Sequence, residues 1–124
     1  MAEKCALVVD DDSAIRRLLA TALSREGIAL DQAADGLVAM EFLHTKTYDV
    51  VLLDMMMPKM NGVEVLAQME RDHLDTPVIV ISAASDRYLG TIESPLVTKV
   101  LRKPFDLSVL VAEVVKFCGV TTPG

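Results

Sequence analysis

The sequence contains no tryptophan, only 4% aromatic residues and two cysteines. Cys5 sits inside an apolar run and Cys118 near the end, a spacing that suits neither a disulfide framework nor a metal site, so both read as reduced, buried thiols. Basic residues are also scarce: 12 Lys and Arg against 18 Asp and Glu leave a formal net charge of -6. That balance argues against direct nucleic-acid contact, which relies on cations to neutralise phosphates. No apolar run approaches the roughly 18 residues of a membrane span, and Met1-Ala2-Glu3-Lys4-Cys5 lacks the basic-then-apolar layout of a signal peptide. A soluble cytoplasmic protein with no membrane contact is the expectation. A Gly-rich loop after the first apolar run is missing too. Three acids stand in its place, where they would repel a phosphate unless metal intervened, which speaks against a nucleotide site. His44 and His73 have no companions at ligand spacing and read as surface residues.

What is present is enough apolar side chain, 52% of 124 residues, to build one substantial core in one domain. Short, β-branched runs occur at Cys5-Ala6-Leu7-Val8-Val9, Asp49-Val50-Val51-Leu52-Leu53 and Pro77-Val78-Ile79-Val80-Ile81, with weaker ones near 28–33 and 97–101. Their apolarity is continuous rather than alternating, which predicts strands covered on both faces, as in a parallel sheet. Between them the period changes. Ile15, Leu18, Leu19, Ala22 and Leu23 fall at helical spacing, predicting a helix over 13–25 with Asp12 or Ser13 as N-cap and Gly27 at its end. Leu107, Leu110, Val111, Val114 and Cys118 repeat that spacing, and 36–45 and 63–72 also read as helices. Gly90 and Pro95 interrupt whatever helix 85–92 begins, so the fourth helix should be short or irregular. Strict strand–helix alternation implies an α/β fold with a doubly wound five-stranded parallel sheet and helices on both faces.

In such a sheet ligands bind beyond the carboxyl ends of the strands. The first run ends in Asp10-Asp11-Asp12, the third in Asp54, the fourth in Ser82 and the fifth in Arg102-Lys103-Pro104. If these strands are neighbours, the side chains share one small patch. One acid there would serve as a helix cap, and Asp12 with Ser13 reads that way. Three successive acids repel one another more than capping explains, and crowded carboxylates persist only if some protonate or a cation shares them. A hard divalent ion with oxygen ligands fits, magnesium best, because it uses one or two carboxylates and leaves room for phosphate oxygens. Lys103 adds a compact positive charge and Ser82 a hydroxyl, which together describe a phosphoryl site.

Four blocks carry a family resemblance: Leu7-Val8-Val9-Asp10-Asp11-Asp12-Ser13-Ala14-Ile15-Arg16-Arg17-Leu18-Leu19, Leu53-Asp54-Met55-Met56-Met57-Pro58-Lys59-Met60-Asn61-Gly62, Val80-Ile81-Ser82-Ala83 and Lys103-Pro104-Phe105. In this order, across essentially the whole chain, they resemble the response-regulator receiver domain of bacterial two-component signalling, in its chemotaxis-regulator-like single-domain form. The resemblance implies a flavodoxin-like sheet of order 2-1-3-4-5, a single receiver domain over 1–124 and a C-terminal tail at 119–124. It implies that Asp54 accepts a phosphoryl group from a sensor histidine kinase or phosphotransfer protein. Asp11 then ligands magnesium directly, Asp10 acts through water, and Met56 supplies a backbone carbonyl. Ser82, with Ala83 beside it, and Lys103 bind the phosphoryl group, while Val100, Arg102 and Tyr88 belong to the output surface that meets a downstream protein. Such a domain catalyses its own phosphorylation and dephosphorylation but is not a multiple-turnover enzyme.

Two departures stand out. The family usually carries an aromatic residue three positions before the lysine, where this chain has Val100, and a regular fourth helix, where this chain has Gly90-Thr91-Ile92-Glu93-Ser94-Pro95. They motivate an alternative, a receiver-like interaction module that works without phosphorylation. A phosphatase with an aspartyl-phosphate intermediate would carry a second Asp two residues after the nucleophile as acid and base, and Met56 stands there. The chain ends soon after the last helix, so it reads either as a stand-alone receiver or as a domain excised from a longer regulator.

Overall fold

The computed structural model describes residues 5–118. The expected tail at 119–124 and the side chain of Cys5 lie outside what it describes. Strands and helices alternate as β1 (Cys5–Val9), α1 (Ser13–Arg25), β2 (Ala29–Ala33), α2 (Gly36–Thr45), β3 (Val50–Asp54), α3 (Gly62–Arg71), β4 (Val78–Ser82), α4 (Asp86–Leu89), β5 (Val97–Arg102) and α5 (Leu107–Cys118). The strands form one parallel sheet in the order β2-β1-β3-β4-β5. This is the flavodoxin-like, doubly wound order expected from the sequence.

The continuous apolar runs become the sheet's interior, with every residue of β3 and β4 buried. The strand pleat sends alternate side chains to opposite faces. Ala6, Val8, Val50, Leu52, Ile79 and Ile81 meet Leu19 and Leu23 of α1 and Leu110, Val114 and Cys118 of α5. Leu7, Val9, Val51, Leu53, Val78 and Val80 meet Ala39, Met40, Val65, Leu66 and Met69 of α2 and α3. The Cys118 thiol is buried, as its helical spacing implied. The edge strands β2 and β5 are mixed in polarity and only partly covered, the pattern a sheet margin permits.

Capping fixes where the helices begin. Asp12 rather than Ser13 caps α1, its carboxylate accepting from Ala14 N at 2.8 Å and Ile15 N at 3.4 Å. Asp35 caps α2 through Val38 N at 2.9 Å. Asn61 and Glu64 form a reciprocal capping box, which starts α3 at Gly62, one residue earlier than the apolar period suggested. Gly27 takes φ 75° just past α1, a left-handed conformation that glycine adopts without side-chain conflict. The fourth helix has four residues, and the bonds Thr91 N to Tyr88 O and Ile92 N to Leu89 O continue it as turns. Its brevity agrees with Gly90 and Pro95. His44 and His73 are both exposed, and His44 pairs with Asp72 at 2.6 Å between α2 and the end of α3.

Candidate functional site

Sheet register brings the candidate residues together. Val9 lies level with Leu53 across β1 and β3, so the residues that follow them, Asp10 and Asp54, stand side by side at the carboxyl edge. Asp54 is level with Ile81 of β4, and Ser82 with Arg102 of β5. Lys103 comes next, its backbone N–H donating to Ser82 O at 2.8 Å, and the Lys103–Pro104 peptide is cis. The edge between β1 and β3 is where the strand order reverses, the usual position for a ligand in this class of sheet.

Carboxylate oxygens of Asp10, Asp11 and Asp54 lie within 4.8 Å of one another. Asp10 and Asp54 are buried while Asp11 is exposed. Lys103 Nζ sits 2.8 Å from Asp10 Oδ2 and 3.4 Å from Asp54 Oδ2. Asp10 Oδ1 accepts from Asp12 N at 2.9 Å, whereas Oδ2 is buried with the ion pair to Lys103 but no hydrogen bond of good geometry. Asp54 Oδ1 accepts from Met56 N at 3.1 Å. Three carboxylates, two of them buried, share one ammonium, and that surplus of negative charge fits a hard divalent cation better than it fits the protein alone.

Burial pushes the Asp54 carboxyl up from its ordinary range and the Asp10 charge adds to this, while the Met56 N–H and Lys103 pull the other way. Burial also opposes the Lys103 charge, but Asp10 and Asp54 outweigh it and hold the ammonium above its usual value. A raised carboxylate pKa means that ionised Asp54 opposes folding at neutral pH and that the opposition fades as pH falls through the folded-state value. Asp54→Asn should therefore stabilise the metal-free protein at pH 7 by on the order of 1 kcal/mol. The gain should shrink as the solution is made mildly acidic, and urea denaturation at two pH values checks both points.

Ser82 is fully buried, and its Oγ accepts from Ala84 N at 3.1 Å, which leaves the O–H free in role to donate towards the site. Ala83 is exposed beside it. The Met56 side chain is 58% exposed at the rim, whereas Met55 is buried in the core and Met57 packs against it. Val100 and Arg102 are exposed on β5, and Tyr88 of α4 is half-buried against the α2–α3 core, all three outside the acidic cluster.

Several contributors have no obvious sequence signal. Arg16 Nη1 donates to Asp10 O at 2.6 Å, tying α1 to the end of β1. Lys59, at φ 66°, places Nζ 3.6 Å from Asp35 Oδ2, and a Cβ on Gly36 would run into the Met60 carbonyl. The β2–α2 and β3–α3 loops thus brace each other around the segment that carries Met56. Asp35 both caps α2 and meets Lys59, and the second contact requires a loop brought close only by the fold. Beside Lys103 lies an apolar groove of about 420 Å³ lined by Ile15, Leu18, Pro104, Phe105 and Leu107.

A family model describing the response regulator receiver domain matches residues 6–115. Response regulator MprA of Mycolicibacterium vanbaalenii is 37% identical over 120 residues, covering 94% of this chain and 51% of that protein. Transcriptional regulatory protein DltR of Streptococcus agalactiae is 39% identical over 82 residues, 66% of this chain and 37% of that protein. The chain thus spans about half or less of the length of these curated relatives. Among solved structures, a Francisella response regulator receiver domain superposes with a TM-score of 0.85 at 30% identity, covering 97% of this chain and all of that one. The crystal structure of response regulator TrrA from Thermotoga maritima in complex with Mg2+-BeF gives 0.82 at 32% identity, covering 92% and 98%. Among the described residues no helix is long and apolar enough to cross a membrane.

Proposed function

The chain belongs to the response regulator receiver domain family, and from that premise we propose that it accepts a phosphoryl group on Asp54 in a magnesium-dependent step. The observation that carries this reading is the triangle of buried Asp10 and Asp54 with half-buried Lys103, beside exposed Asp11. Asp10, Asp11, Asp54 and the Met56 carbonyl would hold the ion, which supplies neutralisation of charge on the phosphoryl oxygens. TrrA, whose structure holds Mg2+-BeF, supports the assignment by analogy.

Asp54 is fixed at the end of a buried strand, so its carboxylate is positioned rather than mobile. Its oxygen attacks phosphorus as the bond to the donor, a histidine nitrogen of a sensor kinase or phosphotransfer protein, breaks. Lys103 follows the charge from Asp54 to the new phosphoryl oxygens, and the Ser82 hydroxyl donates to one of them. The apolar groove beside Lys103 offers the donor protein a surface next to the reacting atoms. Phosphorylation adds about -1.5 to -2 charges, a pull that acts on Ser82 and through Ala84 on α4. Exposed Val100 and Arg102, with half-buried Tyr88, then present a changed surface to a downstream protein. We place this chemistry in the cytoplasm, without direct nucleic-acid or membrane contact by this domain.

Beryllofluoride with magnesium tests the reading. Titration should shift the amide signals of Asp54, Ser82 and Lys103, and the response should vanish in Asp54→Asn; silence in the unmodified protein at saturating magnesium would favour an interaction module that ignores phosphorylation. The exposed Met56 side chain stands where a polar group could order an attacking water. Met56→Asn or Met56→Glu should change the dephosphorylation rate several-fold with little change in the unfolding midpoint, and an unchanged rate would remove Met56 from that role.

A further inference from the structure

α4 stops at Leu89, and a flank of α3 forms one wall of a groove of about 460 Å³. Its apolar lining includes Val63 of α3, 43% exposed, with Tyr88 and Ile92 from the α4 side. Its rim carries Glu64, Glu70 and Glu93, and no lysine or arginine lines it among the described residues. Val63, Ala67 and Glu70 repeat at i, i+4 and i+7, so α3 presents a continuous stripe that runs from apolar to acidic along the groove. This surface is separate from the acidic triangle and from the groove beside Lys103.

We propose that the α3–α4 groove docks a basic, amphipathic segment of a partner protein. An open trough between α3 and the end of α4 with the turns that follow it, apolar inside and acidic at the edge, matches a helix or extended strip whose apolar side chains alternate with lysine or arginine. The acidic rim repels the phosphates of nucleic acid and of anionic lipid surfaces alike. The apolar floor makes bare polycations a poor match, because they would leave Val63, Tyr88 and Ile92 uncovered. Such docking needs no phosphoryl group, so it can be tested on the unphosphorylated protein, although Tyr88 belongs both to this groove and to the surface assigned to the switch.

The experiment uses the full chain, isotopically labelled and loaded with magnesium so that Asp10 and Asp11 are occupied. A synthetic helical peptide of leucine and lysine is titrated in, with oligolysine and a leucine–glutamate peptide as controls. Amide shifts should cluster at residues 61–70 and 88–93, weaken with added salt, and be far smaller for both controls. Glu70→Lys combined with Glu93→Lys changes two exposed side chains and should weaken binding by about tenfold with an unchanged unfolding midpoint. Equal binding of oligolysine, shifts centred on Asp10 and Asp11 or on Ile15 and Phe105, indifference to the double charge reversal, or no binding would each overturn the proposal.

Discussion

Lys103→Met is expected to lower the stability of the metal-free protein by about 3 kcal/mol at neutral pH, because removing one partner of a buried ion pair strands the other. Lys103 is the ammonium within reach of both Asp10 Oδ2 and Asp54 Oδ2, and Asp10 is completely buried. The sign follows from the raised pKa of Lys103: its stabilising contribution is present throughout the range below the unfolded lysine value and is lost only as pH rises through the folded one. The deficit should therefore be visible across neutral pH. Magnesium should restore more stability to Lys103→Met than to the unmodified protein, since the variant's carboxylates have no competing cation. Urea midpoints with and without magnesium measure this, and equal midpoints for the two metal-free proteins would show that Lys103 does not hold the acids together.

The second large effect is structural. Gly62→Ala should cost about 3 kcal/mol, because a Cβ there would lie 2.7 Å from Asp54 O, Met55 Cα and Met55 Sδ. Two of those atoms are backbone of the segment carrying Asp54 and cannot yield as a flexible side-chain tip does. Gly62 N also donates to Met55 O at 3.1 Å, so α3 starts pressed against the end of β3. The variant should lose magnesium affinity along with stability, as Asp54 is displaced. An unchanged urea midpoint would mean that the β3–α3 junction has slack that its geometry does not show.

Much of this arrangement was legible from residue pattern. The buried strands announced themselves because both faces are covered, leaving no polar residue in 50–53 or 78–81 to disguise them. Asp10, Asp11, Asp54 and Lys103 were legible because charged residues directly after apolar strands have few places to go other than the carboxyl edge. The strand order was not contained in any local period; it came with the resemblance of the four blocks, and pairing such as Val8 with Leu52 depends on distant segments. Asp12 and Ser13 were equivalent as caps until the backbone showed which side chain faced Ala14 N. The bracing of Asp35 by Lys59 and the bond from Arg16 to Asp10 O were not legible at all, since each depends on two loops or elements approaching in space. The α3–α4 groove lies between these cases. Gly90 and Pro95 foretold a short fourth helix, but the exposure of the α3 flank appears only once the helices are placed.

Intact-mass measurement after incubation with acetyl phosphate tests the central claim most directly. With magnesium, the unmodified protein should gain the mass of one phosphoryl group, peptide mapping should place it on Asp54, and neither the magnesium-free sample nor Asp54→Asn should gain it. Incorporation that persists in Asp54→Asn, or no incorporation at saturating magnesium, would contradict the account.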